Sequence, residues 1–135
     1  MATIKRFEDL DVWKKARELS QEVYKVSTQG KFSRDFELRN QINASSGSAM
    51  DNIAEGFDRG GRNEFVNFLS MAKGSCGEVK SQLYRASDRE YITGNDFQRI
   101  YNLANETGKI INGLIGYLNK SKVSGTKFKN RSNLN

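Results

Sequence analysis

Two stretches of this chain repeat core-type residues at alternating spacings of four and three. In the first, Phe65, Leu69, Ala72, Cys76, Val79, Leu83 and Ala86 keep the rhythm unbroken, with Phe68 widening the stripe. In the second, Phe97, Ile100, Ala104, Thr107, Ile111, Leu114 and Leu118 keep it again. Such a period holds one helical face against a partner for many turns, so it calls for long helices packed nearly parallel. The chain has no proline to break them. Leu103, Ile110 and Tyr117 form a second row beside the last stripe. That row makes the fourth helix wider than one seam needs, which predicts a subunit interface or a broader core contact.

Upstream, Leu10, Trp13, Ala16, Leu19, Val23 and Val26 mark one face of a helix from Glu8 to Ser27. Trp13 beside Lys14 and Lys15 has the make-up of a stacking platform with phosphate-binding lysines. Its place on the apolar stripe makes it a core residue instead. A further helix, Asp35 to Phe57, is built from small residues in its middle, Ala44 to Ala49. Interior glycines each cost a helix about 1 kcal/mol relative to alanine, so close approach of a neighbour has to return the loss. Lys73-Gly74-Ser75-Cys76-Gly77 is a matching small patch, and a fold at Gly60-Gly61 sets Gly47 level with Gly74 and Ala44 level with Gly77. The prediction is small residue against small residue.

The breaks agree with these spans. Gly30 suits a helix C-cap, with Ser33 or Asp35 capping the next helix. Gly56 to Arg62 forms the second turn, after which Asn63 caps a helix running from Glu64 to Asp88. Glu90 to Gly94 forms the third, with Thr93 or Asn95 capping the last helix. Four helices with short connections make an all-α, antiparallel up-down-up-down four-helix bundle over residues 1–120. Residues 121–135 lack periodicity and read as a basic, flexible C-terminal tail.

Charge qualifies the first impression of a basic protein. The net charge is +6, but Lys122, Lys127, Lys129 and Arg131 sit in the tail with no acid among them, leaving +2 for residues 1–120. No apolar run reaches the roughly 18 residues of a membrane span, and the first residues carry no apolar segment behind their charges. A single cysteine, Cys76, fits a reducing compartment, so the expected location is cytoplasmic.

The chain has no histidine, which removes Ser-His-Asp and Cys-His catalysis and the usual zinc sites. No Walker-type glycine loop is present. Asp51, Glu55, Asp58 and Glu78 could together meet the needs of a hard metal ion, but the Glu-x-x-His pairs of di-metal bundles are missing. Cys76 lies on the apolar stripe and reads as a small core residue. No catalytic residue, metal or cofactor is expected, and the chain does not read as an enzyme. Asn52 and Glu55 share a helical face, where they predict a polar clamp with Arg62 or Lys73 as partner.

Several blocks taken together resemble a known family. These are Phe7-Glu8-Asp9-Leu10-Asp11-Val12-Trp13, Gln41-Ile42, Ser48 with Asn52-Ile53-Ala54-Glu55-Gly56, and Ala72-Lys73-Gly74-Ser75 with Glu78. They run in order from Phe7 to about Leu118 and resemble the four-helix proteins encoded in 23S rRNA intervening sequences. That family is similar in turn to the accessory variability determinant of diversity-generating retroelements. The resemblance implies a bundle assembled into a barrel-like homopentamer, with a basic surface suited to structured RNA or DNA and no enzymatic activity. It also implies structural-motif roles for Gln41, Asn52, Glu55, Gly56, Gly74, Ser75 and Glu78. One departure is Asn43-Ala44-Ser45, where members carry two arginines and an alanine; another is Met50 in place of a proline. The first removes two positive charges from any phosphate contact made there.

The leading functional expectation is therefore a non-enzymatic oligomeric module that binds nucleic acid through backbone phosphates. The candidate contacts are Lys14, Lys15, Arg17, Arg39, Arg59, Arg62, Lys73, Lys80, Arg85 and Arg89. No aromatic is clearly exposed, so the sequence gives no argument for base stacking. The rival is a scaffold whose partner is another protein, such as a reverse transcriptase or other polymerase, supported by the wide face of the fourth helix.

Overall fold

The computed structural model describes residues 4–120. They form four α-helices, α1 (Asp11–Ser27), α2 (Phe36–Asp58), α3 (Arg62–Asp88) and α4 (Gly94–Lys120), with no strand among the described residues. Single 3-10 turns at Phe7–Asp9 and Phe32–Arg34 precede α1 and α2. Each helix packs on two others, α2 on α1 and α3, and α4 on α3 and α1. The expected tail, 121–135, lies outside the described residues.

Both heptad stripes enter the core. On α3, Phe65, Leu69, Ala72, Cys76, Val79, Leu83 and Ala86 are all buried. On α4 the buried set is Ile100, Leu103, Ala104, Thr107, Ile111, Leu114 and Leu118. Thr107 is fully buried, and its hydroxyl donates to the Leu103 carbonyl at 2.7 Å, so a polar side chain occupies the stripe without an unmet bond. In the second row on α4, Leu103 is buried, while Ile110 and Tyr117 pack half-buried against the core.

The first helix differs from the reading of its pattern. Leu10 is extended (φ −75°, ψ 125°) and α1 starts at Asp11, not Glu8. The buried positions are Val12, Ala16, Leu19, Val23 and Ser27, while Trp13 and Val26 flank this face half-buried. The break at Leu10 lets the Phe7 ring meet the Trp13 ring edge-on at 5.1 Å, closing that side of the bundle. Ser27 is tolerated in the core because Asn43 Nδ2 donates to its hydroxyl at 2.8 Å, tying α1 to α2.

Capping follows the sequence at two of three sites. Asp35 accepts from the Leu38 amide at 3.1 Å, and Thr93 Oγ1 accepts from the Asp96 amide at 3.1 Å. Asn63 does not cap α3; Gly61 takes the N-cap position and the helix starts at Arg62. The left-handed Gly60 (φ 87°) turns the chain so sharply that the helix resumes two residues later.

Candidate functional site

The small residues of α2 and α3 meet, but not through the glycines expected. A Cβ built on Gly47, Gly74 or Gly77 would meet nothing within 4 Å, and Ala44 is exposed. The closest approach is at Gly56, where a Cβ would lie 2.5 Å from Phe68 Cβ. Higher on the seam, Ser75 Oγ donates to Ser48 Oγ at 3.2 Å, and Asn52 Nδ2 donates to the Ser48 hydroxyl and carbonyl at 2.9 Å each. Gln41 closes the seam by accepting from Arg85 at 2.7 Å. Small side chains with hydroxyls thus join the helices where bare backbone was expected to. Glu55 is exposed and pairs with Arg59, the residue that ends α2, at 2.7 Å, and Glu78 is also exposed. Among the described residues, no group of three or more His, Cys, Asp or Glu is placed to hold a metal ion.

The ten basic candidates separate by what they already touch. Lys15 lies between Glu18 (3.6 Å) and Glu106 (3.4 Å); burial pulls its ammonium down, but the two carboxylates outweigh this and raise its pKa. Arg59 bonds Glu55, which raises its pKa, and also reaches Glu64 at 3.8 Å. Arg85 reaches Glu37 at 3.5 Å and Arg89 reaches Asp35 at 2.8 Å. Their charge is largely matched by acids of the same chain. Arg39 donates to the Ser33 carbonyl at 2.9 Å and lies over Phe36, and Arg17 lies over Trp13. Lys14 is exposed on α1, and Arg62 opens α3.

Lys73 and Lys80 are brought together. With Lys109, Asn105 and Asn112 they line a groove of about 190 Å³ between α3 and α4, and no lining residue is acidic. Gly77 and Gly108 form part of it, and a Cβ at either would meet open space, so the missing side chains are what open the groove. Lys80 Nζ is fixed by Asn105 Oδ1 at 3.3 Å. Among the described residues none of the three lysines is ion-paired. Cys76 borders the groove from below but is 2% exposed, and burial pushes its thiol up to about 11, only partly offset by Lys80. It is protonated at neutral pH and a poor nucleophile.

The sequence reading missed Lys109, Asn105 and Asn112, and it missed the exposed aromatics. Tyr84 is 54% exposed, Tyr24 62% and Phe36 63%. The signal for the groove is a second stripe on each helix, Lys73, Gly77, Lys80 and Tyr84 on α3, and Tyr101, Asn105, Gly108 and Asn112 on α4. Each runs at helical spacing beside the apolar one, and only the pairing of the two helices turns them into one surface.

Comparison with known proteins agrees with the fold. The chain is similar to a protein of unknown function from the S23 ribosomal protein family of Bacteroides thetaiotaomicron VPI-5482, whose crystal structure is known at 1.70 Å resolution. The two share 27% sequence identity and a TM-score of 0.70, over 77% of this chain and 97% of that one. No curated protein matches. The family model of the 23S rRNA-intervening sequence protein matches residues 8–113, which covers all of α1, α2 and α3 and most of α4. The chain therefore belongs to the 23S rRNA-intervening sequence protein family.

Proposed function

We propose that this chain is a non-enzymatic module that binds nucleic acid through backbone phosphates, with the α3–α4 groove as the point of contact. One observation carries the reading: Lys73, Lys80 and Lys109 converge on an acid-free groove, whereas Lys15, Arg59, Arg85 and Arg89 are matched by carboxylates. Unpaired cations are the ones free to neutralise phosphates and so release the counterions condensed on the nucleic acid. Asn105 and Asn112 add hydrogen-bonding groups, and the two glycines give a strand room to approach. The family's association with intervening sequences of 23S rRNA makes structured RNA the first ligand to test.

The four helices, in up-down-up-down order, are proposed to self-associate, with a barrel-like homopentamer as the assembly that the family resemblance implies. No helix among the described residues is long and apolar enough to cross a membrane.

The test is a salt titration of binding to a structured RNA and a duplex DNA, using the full chain and a chain ending at Lys120, each freed of nucleic acid at high salt. The expected result is affinity that falls linearly in log–log form with salt and survives removal of the tail. Affinity that does not change with salt, or that vanishes with the tail, overturns the groove as the site. Binding of a protein partner after nuclease treatment, with no RNA or DNA affinity, would favour a scaffold instead.

A further inference from the structure

Beside the lysine groove, α3 and α4 carry a cluster of three aromatic rings. Phe97 and Tyr101 stack at 5.5 Å, and Tyr84 meets them edge-on at 5.0 Å and 5.9 Å. Phe97 and Tyr101 are half-buried, but Tyr84 remains 54% exposed. Two rings therefore fix its orientation while part of its own surface stays open to solvent. Lys80 links this cluster to the groove, because its ammonium lies 5.5 Å from the Tyr101 ring centroid while it also bonds Asn105. Cation, amide and aromatic groups form one strip. From Lys73 to Tyr84 the strip runs along twelve residues of helix, about 16 Å from first to last at the α-helical rise. Asp88, one turn past Tyr84, bounds the strip with negative charge.

We propose that the α3–α4 strip binds an unpaired single-stranded segment of nucleic acid, with one base stacked on Tyr84 and the adjoining phosphates on Lys80, Lys73 and Lys109. This rests on the phosphate-binding reading and adds to it that the segment is unpaired. A paired base keeps its faces against its stack neighbours, whereas an unpaired base presents a π-face to an oriented ring. The charge of the strip selects the occupant. An apolar protein segment would desolvate three lysines without pairing them, whereas a polyanion with aromatic bases meets both halves of the strip. Tyr24 and Phe36 are as exposed as Tyr84, but neither lies beside the acid-free groove.

The experiment compares a six-nucleotide single-stranded RNA, an abasic strand with the same number of phosphates, and a duplex of equal length. Binding is measured across a salt series for the wild-type chain, Tyr84→Ala, Tyr84→Phe and the double variant Lys73→Ala/Lys109→Ala. Stacking on one aromatic ring predicts a loss of roughly five- to a hundredfold for Tyr84→Ala on the base-bearing strand. The loss should be absent on the abasic strand, the salt slope unchanged, and Tyr84→Phe close to wild type. The double lysine variant should reduce the salt slope by about 1.4 on single strands, at about 0.7 for each phosphate that is no longer neutralised. Equal affinity for abasic and base-bearing strands, or for duplex and single strand, overturns the proposal. So does a Tyr84→Ala variant that binds RNA normally but sediments differently, which would make Tyr84 a contact between subunits. In those cases a reduced slope for the lysine variant keeps the phosphate reading. A salt-independent affinity, or no affinity for any strand, removes both readings together.

Discussion

Gly56 and Gly47 lie nine residues apart on α2, and alanine at the two should act with opposite signs. At Gly56 the added Cβ would stand 2.5 Å from Phe68 Cβ and 3.2 Å from the Phe65 ring. Phe68 Cβ is anchored to the α3 backbone and cannot swing away, so the helices must part. Overpacking of this kind costs about 1–3 kcal/mol, which outweighs the helix-propensity gain. At Gly47 nothing lies within 4 Å, so Gly47→Ala should gain up to about 1 kcal/mol. Urea unfolding of both variants should move the midpoint down for Gly56→Ala and up for Gly47→Ala. Cys76 yields a separate expectation at this scale. Its thiol is 2% exposed and pushed up to about 11, so a thiol reagent at pH 7.5 should label it only as fast as the chain opens, and at once in denaturant. Rapid labelling of the native chain would place the thiol at the surface.

Among the elements, the joint at Asp35 ties the start of α2 to the end of α3. Its carboxylate caps α2 through the Leu38 amide and takes hydrogen bonds from Tyr91 and from Arg89 at the end of α3, both at 2.8 Å. The Tyr91 ring stacks on the buried Phe32 at 5.3 Å, so the turn before α2 and the connection after α3 close on one point. The Leu38 amide, then Tyr91 and Arg89, hold the Asp35 carboxyl below its ordinary value of 3.8, against a smaller opposing effect of burial. Glu22 is lowered by Lys25 and also by Arg99, which reaches from α4 to α1. A carboxyl with a depressed folded pKa contributes its stability above the unfolded value and loses it as pH falls through the folded one. The urea midpoint should therefore hold steady near neutrality and drop as pH falls below about 4. Asp35→Asn keeps the capping oxygen but removes the titration, so its midpoint should fall less over the same interval.

For the whole molecule, the groove and the aromatic cluster belong to neither α3 nor α4 alone. The core closes within residues 4–120, where α1 and α4 complete the ring of helix contacts. A chain ending at Lys120 should accordingly unfold at the same urea midpoint as the full chain, within the few tenths of a kcal/mol expected of surface changes. Sedimentation velocity over a range of concentrations tests the proposed self-association. A monomer at every concentration would remove the pentamer without touching the groove.

How far the sequence reached depended on the kind of information each feature needs. The heptads of α3 and α4, the absence of proline and the caps at Asp35 and Thr93 determined helix number, span and inward faces, because periodicity and capping are local properties of the chain. The same local logic placed Cys76 in the core. It missed the start of α1, where the extended Leu10 stays buried but Val12 replaces Trp13 on the inward face; Ala16, Leu19 and Val23 keep their places, and the Phe7–Trp13 contact that accompanies the break is not a feature of periodicity. It failed at Gly47 and Gly74, where matched heights along two helices said nothing about rotation around them. Ten basic residues were legible in the sequence, but not which of them were already matched by acids on other helices. Charge is fixed by residue type, whereas whether a charge is free is fixed by neighbours dozens of residues away. Only the packing of α3 on α4 left Lys73, Lys80 and Lys109 unmatched and set them beside Tyr84.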